Sequence, residues 1–305
     1  MGKGAGNAPT ELLCMYLNDR YNAKYNLNQL LEAIDCSIVE LHNKYRWGYS
    51  MKSFIAASND CHPNYVSYLL DKKTLSVKSV NEILSHLSED KRLLYDRSYI
   101  EELYIDYQRK FCSDACVYRE LANLLSNCPI LILGPGRNLK RQKDRVLAYI
   151  SKVKPYIISI NCIPDDIPID ALFITNSKRY QQQIASIKKR AGTLHLIATS
   201  NLTRIDGSFD YTLDYESLID RNAVFMDNSF IMMLKVLMRS EVREAALAGF
   251  DGYSSADENY YCSQMEYDFL KRLGQEVNNY VSYFLRTLAG RFLVKFITDT
   301  LYEHD

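Results

Sequence analysis

The chain has 305 residues, 47% of them apolar and 24% charged, and its 37 basic residues are offset by 37 acidic ones. That length is a prior for two domains with cores of their own, and zero net charge argues against a nucleic-acid binder or a polybasic membrane anchor. No apolar run reaches the roughly 18 residues of a membrane span, and no basic-then-apolar signal opens the chain. Eight Cys scattered along the sequence read as reduced, mostly buried thiols in a cytoplasmic protein. A secreted disulfide domain, a collagen-like chain and a disordered chain are excluded.

From Leu27 to about Leu125 the pattern is helical. Leu27, Leu30, Leu31, Ile34, Ile38 and Leu41 recur at three- and four-residue steps and predict one apolar helical face. Met51 to Ser58 resumes the pattern after Trp47 to Ser50. His62-Pro63 opens a further helix, with Pro where a missing amide proton costs nothing. Ser76 to Leu87, Ile100 to Tyr107 and Tyr118 to Leu125 complete an all-α first third.

At Pro129 the texture changes. Ile130 to Leu133 predicts a short strand, ended by Gly134-Pro135-Gly136 and followed by a basic amphipathic helix from about Leu139 to Ser151. Pro155–Ile160, Ala171–Thr175, Thr193–Ala198 and Glu244–Ala248 predict further strands, with helices at Lys178–Lys189 and Asn228–Arg239. Short apolar runs alternating with longer helices predict βαβ units and a parallel sheet. The apolar stripe from Leu270 to Leu288 continues past Gly290 through Phe292, Phe296 and Ile297, which predicts a C-terminal helical hairpin.

Gly2 to Glu11 is a glycine-rich loop running into a helix, where freed backbone amides can hold an anion. Its residues Gly4-Ala5-Gly6-Asn7-Ala8-Pro9-Thr10-Glu11 resemble the loop after the last barrel strand of 4-hydroxy-2-oxovalerate aldolases, in the metal-dependent lyase superfamily that includes hydroxymethylglutaryl-CoA lyase. Cys61-His62-Pro63-Asn64-Tyr65-Val66-Ser67-Tyr68-Leu69 is similar to aldolase-like proteins found with bacterial surface-polysaccharide genes. The resemblance covers roughly residues 1 to 125. It implies the end of a TIM barrel at its catalytic face, carbon–carbon lyase chemistry, a divalent Mn or Mg ion, and Asn7 close to that metal. It also implies a first-strand Asp and a His-x-His pair. None of the five His, at 42, 62, 86, 195 and 304, lies two residues from another, and one Asn cannot hold a hard divalent cation. The expectation is the C-terminal portion of a longer aldolase-like protein, catalytically incomplete as this chain. His62 is a candidate lid residue offering an imidazole near neutral pH, with local hydrogen bonding at a helix start as the plainer role.

Leu131 to Leu139 has the strand, glycine turn, helix order that favours phosphate binding. Gly134 and Gly136 would let the backbone approach an anion, the amides of Gly136 to Asn138 would face it, and Arg137 would grip two phosphate oxygens. The third glycine of the dinucleotide fingerprint and the Gly-Lys-Ser/Thr of the triphosphate loop are absent. Asn161 and Asn176 end the second and third strands, at the sheet edge where ligands gather. Residues 129 to 253 are similar in order and spacing to bacterial sialyltransferases that use a CMP-sugar, and to related domains near polysaccharide and flagellin-glycosylation genes. That similarity implies a nucleotide or nucleotide sugar held around Gly134, Gly136, Arg137, Asn138, Asn161 and Asn176. His195, inside a strand, reads as a packed core residue.

The fold class expected is α plus α/β. A barrel-end loop and helix remnant (1–20) and a helical region (21–127) precede a Rossmann-like parallel-sheet domain with the helical hairpin (128–305). Three functions compete: the lyase fragment, a nucleotide-sugar-binding, glycosyltransferase-like domain, and a non-catalytic module that docks a partner protein or a second copy through the helical region.

Overall fold

The computed structural model describes residues 8–45, 48–110, 112–126, 128–202, 207–223, 225–255, 258–261, 265–266 and 270–302. Asn7, the Gly2–Gly6 stretch, Trp47, Cys262 and His304 lie outside these described residues. The chain divides into two compact units, Met1–Leu70 with Val77–Leu103, and Asp71–Ser76 with Tyr104–Asp305.

The first unit is helical, with α1 (Thr10–Tyr21), α2 (Leu27–Ala33), α3 (Val39–Tyr45), α4 (Met51–Ser58), α5 (Pro63–Asp71), α6 (Val77–Ser85) and the first half of α7 (Arg97–Gln108). Ser50 starts α4 by accepting the Ser53 N–H at 3.1 Å, an N-cap that satisfies a donor the helix leaves open. Ile55, Tyr65, Val66, Leu69, Val80, Ile83 and Leu84 form the buried side of α4 to α6. The face expected from Leu27 to Leu41 differs. A π-helical turn at Ile34–Ile38 separates α2 from α3, and Leu31 and Leu41 stay 51% and 39% exposed. Helical spacing makes the helix, but burial needs an opposing apolar surface, which the described residues of this unit supply only in part.

The second unit begins with α8 (Ala115–Leu125). It continues through β1 (Ile130–Leu133), α9 (Asn138–Arg141), α10 (Lys143–Val153), β2 (Tyr156–Ile160), β3 (Ala171–Ile174), α11 (Ser177–Lys189) and β4 (His195–Thr199). Then come β5 (Tyr211–Leu213), α12 (Tyr215–Leu218), α13 (Ser229–Arg239), β6 (Glu244–Ala248), α14 (Leu270–Thr287) and β7 (Leu293–Phe296). The strands form one sheet in the order β5-β4-β3-β2-β1-β6-β7, and every pairing is parallel. Such strands are covered on both faces, so they read as unbroken apolar runs. Ile130 and Ile132 of β1 pack with Leu121 and Leu125 of α8, Leu234 of α13 and Val281 of α14. Leu131 and Leu133 pack on the other face with Val146 of α10 and Ile187 of α11.

Several expectations need correction. The tail is not a helical hairpin: α14 stops at Thr287, Gly290 takes a positive φ of 76°, and Leu293–Phe296 pairs with β6 as an edge strand. A left-handed glycine breaks the helix, and the alternating burial of the next four residues suits a sheet edge. The helix expected over residues 139–151 is two pieces, α9 and α10. Among the described residues no cysteine is in a disulfide, but of these only Cys61 and Cys162 are buried, while Cys36 and Cys116 are exposed. Among the described residues no helix is long and apolar enough to cross a membrane.

The boundary expected near Ser126 to Pro129 also moves, because α8 packs within the second unit. Cutting at 128 discards Leu121 and Leu125, which are 0% and 2% exposed, each worth about 1.5–3 kcal/mol of burial. A 128–305 fragment should therefore melt well below a 104–305 fragment by circular dichroism. Equal melting temperatures would show that α8 adds nothing to this core.

Candidate functional site

The chain runs outward from β1 to β5 on one side and returns to β6 and β7 on the other, so the strand order reverses between β1 and β6. Ligands of open parallel sheets bind in the crevice outside the carboxyl ends of the strands at such a reversal. Two glycine turns meet there. The Gly134 N–H donates to the Ala248 carbonyl and the Gly136 N–H to the Gly249 carbonyl, each at 2.8 Å. A Cβ on Gly136 would lie 2.5 Å from the Gly249 oxygen and 2.6 Å from Asp251 Oδ1, so only glycine allows this approach. From the other side the Tyr261 N–H donates to the Pro135 carbonyl at 3.1 Å, which clamps the turn.

A cavity of about 90 Å³ opens at this crevice, with Gly136, Asn161, Arg179, Asn228, Asp251 and Asn259 in its polar lining. Phe230, also in the lining, stacks on Phe250 at 4.2 Å and on Tyr302 at 6.1 Å between ring centroids. The volume is below the about 300–1,000 Å³ that encloses a whole ligand. It fits one polar group, with the rest of a molecule at the mouth.

Of the residues singled out by sequence, Gly136 and Asn161 line this cavity, while Gly134, Arg137, Asn138 and Asn176 do not. The three amides expected to face an anion are spent within the chain. Gly136 donates as described, the Arg137 N–H donates to the Asn259 carbonyl at 3.3 Å, and the Asn138 N–H to Asp251 Oδ2 at 2.7 Å. The Arg137 guanidinium is turned to the Glu258 carbonyl at 3.3 Å. Asn161 stands at a positive φ of 56° and uses its side chain on the Thr175 N–H (3.0 Å) and on Ser229 Oγ (2.8 Å), tying β2 to β3 and α13. Asn176 caps α11 by accepting the Arg179 N–H at 2.8 Å. A Gly136→Val change would consequently test the fold, not ligand approach.

Three residues carry the polar character of the cavity, none of them assigned to the site from sequence, although the stretch 248–253 that holds Asp251 stands out there as following a late strand. Arg179, 3% exposed, donates to the Met265 carbonyl at 2.7 Å and to Gln182 Oε1 at 3.0 Å. Its neighbour Lys178 is pushed below the ordinary lysine value by burial, then by the charges of Lys73 and Arg179, so cations crowd the start of α11. Asp251 and Asn259 are 7% and 4% exposed, and Asp251 Oδ1 and Asn259 Nδ2 have no hydrogen-bond partner among the described residues. Burial pushes the Asp251 carboxyl up to about 6, against the Asn138 N–H and the charges of Arg137 and Arg141, with Asp299 adding to the rise. The signal available in sequence was positional: Arg179 lies three residues past a helix-capping Asn, and Asp251 two past the glycine after β6.

Further along the sheet, Asp227 Oδ2 accepts from the Tyr104 hydroxyl at 2.9 Å and from the Tyr215 hydroxyl at 3.2 Å. Gln108 Nε2 donates to the Tyr215 oxygen at 3.1 Å, and Asn201 Nδ2 to Gln108 Oε1 at 2.8 Å. This buried network is satisfied, which makes it a brace.

A larger hollow of about 460 Å³ lies beside α11 and the amino end of β4, lined in part by His195 and Asp210. Two of its polar side chains are engaged within the chain: Asp210 Oδ2 accepts the Leu196 N–H at 2.7 Å, and His195 Nδ1 bonds the Tyr156 hydroxyl at 2.7 Å. His195 is exposed at the strand start, not packed in the core as expected. In the helical unit, His62 Nδ1 accepts the Asn64 N–H at 3.1 Å and its ring stacks on Tyr95 at 6.0 Å, the contacts of a helix-start residue. For the divalent metal, no three His, Cys, Asp or Glu side chains converge among the described residues. These residues do not fit a hard cation, which needs several oxygen or imidazole ligands. In comparisons with known proteins, no family model, no curated protein and no solved structure matches the chain.

Proposed function

We propose that the α/β unit binds a nucleotide or nucleotide sugar at the β1–β6 crevice, as a Rossmann-like, glycosyltransferase-like domain. The observation that carries this reading is the pair of buried, unpartnered atoms, Asp251 Oδ1 and Asn259 Nδ2, in a cavity at the reversal of strand order. Each such atom costs about 1–3 kcal/mol while unsatisfied, a cost that a bound ligand offsets. Arg179 in the same lining, with Lys178 and Lys73 nearby, supplies the attraction for a phosphate. The anion is held by side chains, since the amides of the glycine turn are already engaged. The lyase reading rests on the loop before α1, most of which lies outside the described residues, and on the stretch 61–69, where His62 makes the contacts of a helix-start residue, so the nucleotide reading has more support.

The test is calorimetric titration with CMP, CDP, UMP, UDP and their sugar conjugates. At least one should bind with Kd below roughly 1 mM, and Arg179→Gln should weaken it about tenfold or more, as expected for a lost charged hydrogen bond. No binding by wild type to any of these would overturn the reading.

A further inference from the structure

Resting on that reading, we infer that Asp251 and Asn259 together hold a sugar hydroxyl of the phosphorylated ligand, Asp251 Oδ1 accepting from it and Asn259 Nδ2 donating to it. A hydroxyl is one donor with two acceptor lone pairs, the complement of a carboxylate oxygen beside an amide N–H. Both side chains are held by their other atom. Asp251 Oδ2 takes the Asn138 N–H at 2.7 Å, and Asn259 Oδ1 takes the Ser254 N–H at 2.7 Å. The Asn259 backbone is fixed as well, its N–H donating to the Glu266 carboxylate and its carbonyl accepting from the Arg137 N–H at 3.3 Å. Neither unpartnered atom can turn away without breaking one of these bonds.

Charge gives the ligand its direction. A carboxylate repels phosphate, so the anionic end lies away from Asp251, and Arg179 lines the same cavity from α11. A space of about 90 Å³ takes the hydroxyl edge of a sugar and is too small for a purine. The ligand class is therefore a sugar phosphate or the sugar end of a nucleotide sugar.

The test uses the full chain, with pyrophosphate, glucose 1-phosphate, ribose 5-phosphate and UDP-glucose as probes. Asp251→Asn keeps an acceptor for the Asn138 N–H, and Asn259→Asp keeps one for the Ser254 N–H. Each should weaken the sugar-bearing ligand that wild type binds at least about tenfold, 1.4 kcal/mol, while pyrophosphate changes less than about twofold. Asp251→Asn should also melt no lower than wild type at pH 8, because it removes a buried charge. If Asp251→Asn does not fold, Asn259→Asp decides. Wild-type affinity for the sugar phosphates in both variants would overturn the inference and leave the nucleotide-binding reading standing. Failure of every nucleotide and sugar phosphate to bind wild type would remove both.

Discussion

Gly249→Ala should destabilise the α/β unit by roughly 2–5 kcal/mol, the sum of a left-handed backbone at about 1–2 kcal/mol and overpacking at about 1–3 kcal/mol. Gly249 has a φ of +74°, and a Cβ there would stand 2.4 Å from the Gly134 oxygen and 2.9 Å from Leu139 Cβ. The nearer obstacle is backbone of the turn that follows β1, which cannot swing aside. Gly192→Ala is the matched control. Its φ is +84°, yet no described residue lies within 4 Å of the added carbon, so only the backbone cost of about 1–2 kcal/mol applies. Urea midpoints of the two variants measure the difference. Equal losses would mean that the close approach of the two turns does not limit this fold.

Raising the pH above 10 should unfold the protein steeply, through Tyr104, Tyr215 and Tyr302. Burial holds all three phenols well above their ordinary value of 10.0, with Asp227 adding for the first two and Tyr253 for the third. The unfolded chain releases these protons near pH 10 while the folded chain keeps them. Stability is thus fully present below that pH and is lost as pH rises past it. Each phenol contributes about 1.4 kcal/mol per pH unit, roughly 4 kcal/mol per unit for the three. Tyr302→Phe should remove about a third of that slope between pH 10 and 11. Denaturation midpoints followed with tyrosinate absorbance would show it, and an unchanged slope would rule out Tyr302 as a contributor.

The strands Ile130–Leu133 and Glu244–Ala248 were legible because a strand buried on both faces must be an unbroken apolar run. The start of α13 was legible too, since Asn228 accepts from the Phe230 and Ile231 amides as a helix cap does. Local pattern reached no further than local structure. It read Phe292 to Ile297 as helix, because only pairing with β6 makes Leu293–Phe296 a strand. It offered the amides of Gly136 to Asn138 to a phosphate, because only the fold brings Gly249, Asp251 and Asn259, more than a hundred residues away, to take them. The order of strands is a matter of which apolar runs pack together, and that order alone puts β1 beside β6. Asp251 and Asn259 became candidates for the same reason. A carboxylate and an amide on a polar loop are unremarkable until tertiary packing buries them and leaves one atom of each without a partner.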